Sequence, residues 1–349
     1  HIYLNGKKLG THKGGFTPFQ FEVTGKLKNG PNSVVVKVDN TRKQDEIPTI
    51  NTDWWNYGGL TRDVFLAEMP KQFIADYKLQ LAKGNAQLIE GFVQLSDSVA
   101  GKSISLSIPE LKLDFKVITD QFGKAAISRK ISKISLWSPE NPKLYAVALS
   151  CGEEKIQDKI GFRTISTSGT NILLNGKSIF LRGISIHDEN PLLAGRLRSE
   201  GDMRMMLQWA KDMNCNYVRL AHYPHNEEMV RLADEMGLLV WAEVPVYWTI
   251  SWTNPDTYKN AEQQLTDLIV RDKNRASVIV WSIGNETPLS EPRHVFMGNL
   301  AAHARSLDQT RLVAAALEVH REGKKIILND PLGEKIDLVS FNEYAGWYW

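Results

Sequence analysis

The sequence lacks cysteine pairs, long apolar runs and any block of like charge. Its two cysteines, Cys151 and Cys215, stand far apart among 349 residues. That excludes a disulfide framework and thiolate metal-site spacings, and both read as free structural thiols. No apolar run approaches the length of a membrane span, and no signal peptide is visible. The first residue is His1 rather than methionine, so the compartment stays open between cytoplasm and periplasm or secretion. The formal charge of +2 balances 42 basic against 40 acidic residues. Neither nucleic acid nor a membrane is indicated as partner; a neutral or weakly charged ligand fits better.

Two further absences bear on chemistry. No Gly-x-Ser-x-Gly occurs, which removes the nucleophile elbow of serine hydrolases. The His pair at i, i+4 of common zinc sites is also missing, although His187, His222 and Glu286 are conceivable ligands of one ion. No metal ligand set is assigned.

What is present divides into three stretches. Residues 1–70 show short strands and turn residues: Ile2-Tyr3-Leu4, the turn Asn5-Gly6, the alternating run Phe19 to Val23, and Val34 to Val38. They predict part of an antiparallel sandwich whose first strands precede His1. A loop of aromatics, Asp53-Trp54-Trp55-Asn56-Tyr57-Gly58-Gly59, reads either as a sugar-binding platform or as a domain interface. Residues 71–166 alternate around Tyr77 to Leu81, Ser103 to Ile108 and Tyr145 to Leu149, which predicts an immunoglobulin-like β-sandwich acting as a spacer.

From residue 167 to 349 strands alternate with amphipathic helices, the pattern of a parallel sheet. The runs are Ile179 to Ser185, Tyr217 to Leu220, Leu238 to Ala242, Ser277 to Ile283, Leu312 to Leu317 and Asp337 to Phe341. The intervening helices carry apolar faces: Met206, Trp209, Ala210 and Met213; Met229, Leu232, Ala233 and Met236; Ala261, Leu265, Leu268 and Ile269; Met297, Leu300, Ala301 and Ala304. A (β/α)8 barrel needs eight strands, so six predict an incomplete TIM barrel or an open sheet. The apolar ending Gly346-Trp347-Tyr348-Trp349 favours the incomplete barrel.

Chemistry gathers where these strands end. In order come His187, Asp188 and Glu189; His222 and Tyr223; Glu243; Asn285 and Glu286; Glu318 and His320; Asn342, Glu343 and Tyr344. A single Asn-Glu pair could be a helix cap. Six consecutive strand ends describe a polar floor at the catalytic rim of a barrel, with Trp241, Trp248, Trp252 and Trp281 expected around it. Carboxylates, amides and aromatics together suit glycoside hydrolysis, which needs a proton donor, a second carboxylate and groups that hold hydroxyls.

These residues resemble a known family. Asn216-Tyr217-Val218-Arg219-Leu220-Ala221-His222-Tyr223-Pro224 is similar to the first signature of glycoside hydrolase family 2, and Asp272-Lys273-Asn274-Arg275-Ala276-Ser277 through Trp281 to Asn285-Glu286 is similar to the second. The match extends to residues 53–59 and to Leu174-Asn175-Gly176-Lys177. The family comprises β-galactosidases, β-glucuronidases and β-mannosidases, built from a jelly-roll sugar-binding domain, an immunoglobulin-like domain and a (β/α) barrel. The resemblance implies a soluble, bacterial-type, retaining exo-β-glycosidase acting on β-glycosides or oligosaccharides. β-Galactosidase is the first expectation, with β-glucuronidase, or a non-catalytic carbohydrate-binding protein on the same scaffold, as alternatives. No cofactor is required. A structural or activating cation and a homo-oligomer are both compatible with the family.

By the same resemblance Glu286 is the general acid/base, Asn285 bonds the sugar 2-hydroxyl, His222 faces substrate, Tyr344 orients the nucleophile and Asn342 lies in the substrate site. Arg219 clamps the carboxylates from behind. Asp53 reaches in from the jelly roll, either to a sugar hydroxyl or into an interface salt bridge. The nucleophile belongs to a seventh strand, expected beyond Trp349 with the basic residue that would read a sugar carboxylate. Neither Glu243 nor Glu343 is assigned that role.

Overall fold

The computed structural model describes residues 1–346; Trp347, Tyr348 and Trp349, part of the apolar ending noted above, lie outside them. The N-terminal stretch contains a three-stranded antiparallel sheet in which Ile2–Leu4 pairs with Lys7–Gly10 on one side and Val34–Val36 on the other. Asn5 and Gly6 turn the hairpin with φ of 51° and 78°, the positive values that a tight two-residue turn demands. The expected strand from Phe19 to Val23 does not form. Alternation makes a strand only where a neighbour offers its backbone, and this segment packs by its rings instead, Phe19 stacking on His12 at 4.8 Å.

The second stretch is a sandwich of two antiparallel sheets. One pairs Ile74–Ala82, Asn85–Leu95 and Lys124–Lys130; the other pairs Ser103–Ile108, Leu113–Ile118, Tyr145–Cys151 and Glu154–Ile160. Inward residues of both, among them Leu79, Val93, Ile104 and Leu149, form one core that also takes in Cys151. A hairpin sheet, Ile165–Ser168 with Asn171–Leu174 and Lys177–Ile179, then leads into the barrel.

Six parallel strands follow in sequence order: Gly183–Ile186, Tyr217–Leu220, Leu239–Glu243, Val278–Asn285, Leu312–Leu317 and Leu338–Phe341. The run from Ile179 to Ser185 is thus two elements rather than one strand, with exposed Phe180 between them. Gly183 has no room for a side chain, because a Cβ there would lie 2.3 Å from the Tyr217 carbonyl oxygen. Leu239, Val280 and Leu312 share a core with Leu174 and Trp137 from outside the barrel, so the preceding hairpin packs against these strands.

Each of the four α-helices among the described residues starts at a side-chain cap. Ser199 opens α1 (Glu200–Asp212) with a reciprocal bond to Asp202, Asn226 opens α2 (Glu227–Met236), Asn254 opens α3 (Pro255–Asp272) and Ser290 opens α4 (Glu291–Leu307). The expected apolar faces of α2, α3 and α4 pack inward. That of α1 does so only in part, through Ala210 and Met206. Met203, Leu207 and Ala210 are its buried residues, whereas Trp209 and Met213 are exposed. The row i, i+4, i+7 beginning at Met203 faces the sheet and carries these two side chains off it.

The barrel is welded to the sandwich by the first half of the second signature. Asn274 bonds the backbone of Tyr77 and Leu79, Lys273 pairs with Asp76, and Arg275 pairs with Asp158. Arg163 is buried and donates to the carbonyls of Ala276, Val278 and Thr310. No helix among the described residues is long and apolar enough to cross a membrane.

Candidate active site

A buried anion anchors the mouth of the barrel. Glu243, at the end of the third barrel strand, is inaccessible to solvent and accepts from four neighbours. Arg219 reaches it with Nε at 3.2 Å and Nη2 at 2.9 Å, His222 Nδ1 lies at 2.7 Å, and Trp241 Nε1 and Ser282 Oγ each lie at 2.7 Å. Burial alone would raise its pKa. The charge of Arg219, then the hydrogen bond and charge of His222, outweigh it and bring the carboxyl down to about 2. Glu243 is a fixed negative charge whose lone pairs are spent on the protein.

Arg219 carries that order outward. Its Nη1 donates to Asn342 Oδ1 at 2.9 Å and its Nη2 to Asn285 Oδ1 at 2.7 Å, and Asn342 Nδ2 bonds the same Asn285 oxygen at 3.0 Å. With its oxygen occupied twice, Asn285 presents its NH2, which lies 3.3 Å from Glu286 Oε2. The amide orientation follows because a guanidinium can only donate.

Glu286 is half-buried, with Tyr344 Oη at 2.5 Å from Oε1 and Trp248 Nε1 at 3.2 Å from Oε2. Desolvation pushes its carboxyl up, but hydrogen bonds from Tyr344, Asn342, Trp248 and Asn285 favour the anion and leave it below the usual carboxylate value. Glu286 and Trp248 both adopt the left-handed backbone conformation, with φ of 47° and 53°, a strained choice for residues with side chains. The surroundings hold it: Glu286 N donates to Ala316 O, Trp248 N to Asn285 O, and Asn285 N to Val246 O.

The N-terminal stretch closes the other side. Asp53 lies near the Tyr247 hydroxyl, where its charge, after burial, holds the phenol pKa up. Trp54 is buried against the rings of Tyr247, Tyr223 and His222, at 5.0, 5.3 and 5.7 Å. Tyr247 also lies 4.9 Å from His222, centroid to centroid. Arg62 makes the weld, donating to Phe16 O, Pro224 O and Asp188 Oδ2 at 2.6, 2.8 and 3.0 Å.

The structure thus brings Glu286, Asn285, Asn342, Tyr344, Arg219, His222 and Asp53 around one site. Other expected members of the floor lie elsewhere. Trp281 is fully buried and donates to Asp308 Oδ2 at 3.1 Å, Trp252 packs edge-on against Phe296 at 5.2 Å, and His320 belongs to the hairpin of His320–Glu322 with Lys325–Ile327. Glu343 pairs with Arg321 at 2.8 Å. Ser282 and Tyr247 carry no signal in the sequence, because a serine inside an apolar strand and a tyrosine beyond a strand end have no pattern of their own. Among the described residues no group of three or more His, Cys, Asp or Glu is arranged to hold a metal ion.

Comparison with known proteins agrees along the whole chain. Residues 1–70 match the sugar binding domain of glycosyl hydrolases family 2, residues 74–163 match the family's own domain model, and residues 165–348 match its TIM barrel domain. A Formosa agariphila protein provisionally named a β-glucuronidase is 31% identical over 374 residues, taking in 99% of this chain and 43% of its own length. The Streptococcus thermophilus β-galactosidase is 29% identical over 350 residues, covering 92% of this chain and 33% of its own. A solved Ruminococcus gnavus β-glucuronidase in complex with D-glucaro-d-lactam superposes with a TM-score of 0.85 at 27% identity, over 99% of this chain and 62% of that one. This chain spans less than two thirds of each of these relatives. With its sugar-binding sandwich, immunoglobulin-like domain and six-stranded portion of a TIM barrel, it belongs to glycoside hydrolase family 2.

Proposed function

We propose that the protein carrying this chain is a retaining exo-β-glycosidase that acts on β-glucuronides, with Glu286 as its general acid/base. The observation that carries the reading is the setting of Glu286: a half-buried carboxyl at a parallel strand end, bonded by Tyr344, Trp248 and Asn285 above a charge-neutralised floor. Such a group can give a proton to the glycosidic oxygen and later take one from water. A second carboxylate, carried by the barrel strands that follow in the family and about 5–5.5 Å from the Glu286 carboxyl, would attack the anomeric carbon. Its negative charge would raise the Glu286 pKa into the range a general acid needs.

Asn285 is the hydrogen-bond donor for the sugar 2-hydroxyl in this scheme, and His222 and Asp53 receive other hydroxyls. Arg219 is engaged by Glu243, Asn285 and Asn342 and keeps the amides aimed. The choice of glucuronide over the galactoside first expected rests on the β-glucuronidases among the relatives and solved structures. The galactoside reading keeps support from β-galactosidases of slightly lower similarity.

The test is hydrolysis of 4-nitrophenyl β-glucuronide, β-galactoside and β-mannoside by the full-length protein. The glucuronide should have the highest kcat/KM. A preference for galactoside would return the substrate to the first expectation, and no turnover of any of the three would reject the enzyme reading.

A further inference from the structure

We propose that Arg196 and Tyr223 are positioning residues that hold His187 as the Nε2–H tautomer, so that this ring offers a substrate a donor rather than an acceptor. The use of that donor rests on the glycosidase reading; the tautomer itself does not.

Arg196 lies in the loop after the first barrel strand and is buried. Its guanidinium stacks over three rings, Phe16 and Tyr57 from the N-terminal stretch and Tyr223 from the barrel, at 5.2, 5.0 and 4.7 Å from their centroids. Nη1 donates to the Tyr223 hydroxyl at 2.6 Å and to the Asp188 carbonyl at 3.3 Å. Cation–π contact and charge-assisted bonding together fix it in one place.

Tyr223 is wholly buried, and the other partner of its hydroxyl is His187 Nδ1 at 3.2 Å. A buried hydroxyl proton needs an acceptor. Arg196 has none to give, since a guanidinium only donates. The Tyr223 proton must therefore point to His187 Nδ1, which has to keep its lone pair, and the hydrogen of the neutral ring is placed on Nε2. The opposite arrangement, Nδ1–H donating to the phenol, would strand the tyrosine proton in the interior.

Nε2 bonds to no protein group among the described residues. The ring is half-buried at the barrel mouth, edge-on to His222 at 5.5 Å and beside Trp54 at 6.3 Å. Protonating Nδ1 would set two donors against each other. The same direction follows from burial and from His222 and Arg196, which lower the pKa of His187 to about 4 against the pull of Asp53 and Glu243.

The test uses the full-length protein labelled with 15N-histidine, with His187 identified by its loss in His187→Gln. At neutral pH, Nδ1 should show the shift of an unprotonated nitrogen and Nε2 that of a protonated one. Tyr223→Phe keeps the ring and removes the hydroxyl, and should give tautomer-averaged shifts. Arg196→Lys can still only donate and should preserve the tautomer, whereas Arg196→Gln can accept and should release it. Glycoside hydrolysis by Tyr223→Phe and Arg196→Gln should lose about tenfold in kcat/KM, chiefly through KM, the value of one hydrogen bond. A protonated Nδ1 in the unmodified protein overturns the proposal, as do unchanged shifts in both Tyr223→Phe and Arg196→Gln. The shifts are read without substrate, so a failure of the glycosidase reading would appear in the kinetics alone.

Discussion

Tyr344 donates its phenolic proton to Glu286, oxygen to oxygen at 2.5 Å. The bond stabilises the carboxylate more than the acid, so it pulls the Glu286 pKa down while the charge on Glu286, after burial, raises that of Tyr344. Family resemblance implies a different partner for this tyrosine, a nucleophile on a later strand. The two pairings predict different pH profiles. If Glu286 is the partner, Tyr344→Phe raises the pKa of the group that must be protonated, and the alkaline limb of kcat/KM moves to higher pH. If the nucleophile is the partner, the acid limb moves instead. The first outcome is expected here.

Glu286→Gln should remove proton donation while preserving shape. On an alkyl glycoside or a natural disaccharide, kcat/KM should fall by about 10²- to 10⁴-fold. An aryl glycoside with a good leaving group should lose less in the first step, since its oxygen needs little help. Equal losses on both substrates in a kinetic comparison would argue against the acid role.

If Asn285 bonds the sugar 2-hydroxyl as proposed, Asn285→Ala should lower kcat by about a hundredfold with a smaller change in KM, because such a bond strengthens in the transition state. A 2-deoxy substrate carries out the same deletion from the other side. The Asn285→Ala enzyme should therefore show no further loss on it, and a full second loss would separate the two groups.

Glu243 is depressed to about 2 in the fold from an ordinary value of 4.5. A depressed carboxyl contributes stability that is fully present above the unfolded pKa and is lost as pH falls through the folded one. Denaturant midpoints should accordingly decline between about pH 4.5 and pH 2. Glu243→Gln leaves Arg219 without its buried counter-charge and should cost on the order of 3 kcal/mol at neutral pH while flattening that acid limb.

Arg62→Ala removes two bonds between the N-terminal stretch and the barrel and one within the stretch, and leaves the buried Asp188 carboxylate without its cation. A loss of roughly 2–4 kcal/mol is expected in chemical denaturation. Arg62→Lys should recover only part of it, because an ammonium cannot span the same three acceptors.

Much of the barrel was legible in the chain. Strands such as Val278–Asn285 are apolar on both faces and end in polar residues, and helices α2 to α4 have their apolar residues at spacings of three and four. Periodicity held only in part at α1: Ala210 and Met206 pack on the core, but Trp209 and Met213 are large and apolar yet lie off the inward row. It failed from Phe19 to Val23, where alternation found no partner strand. In the site, strand-end position pointed to Glu286, Asn285 and His222. The second signature mixed two tasks: residues 273–275 join the barrel to the sandwich, and only its last residues reach the mouth.

The sequence by itself determined the order of the three domains and which residues stand at strand ends, because both follow from local pattern and family motif. The tertiary structure decided what those residues touch. It made Glu243 a buried counter-ion of Arg219, put Trp281 in the core rather than the rim, and brought Asp53 from the N-terminal stretch close to Tyr247. Those outcomes depend on desolvation and on hydrogen-bond partners brought from distant strands. Neither is encoded in the spacing of neighbouring residues, since both arise only when separate elements pack into one low-dielectric site.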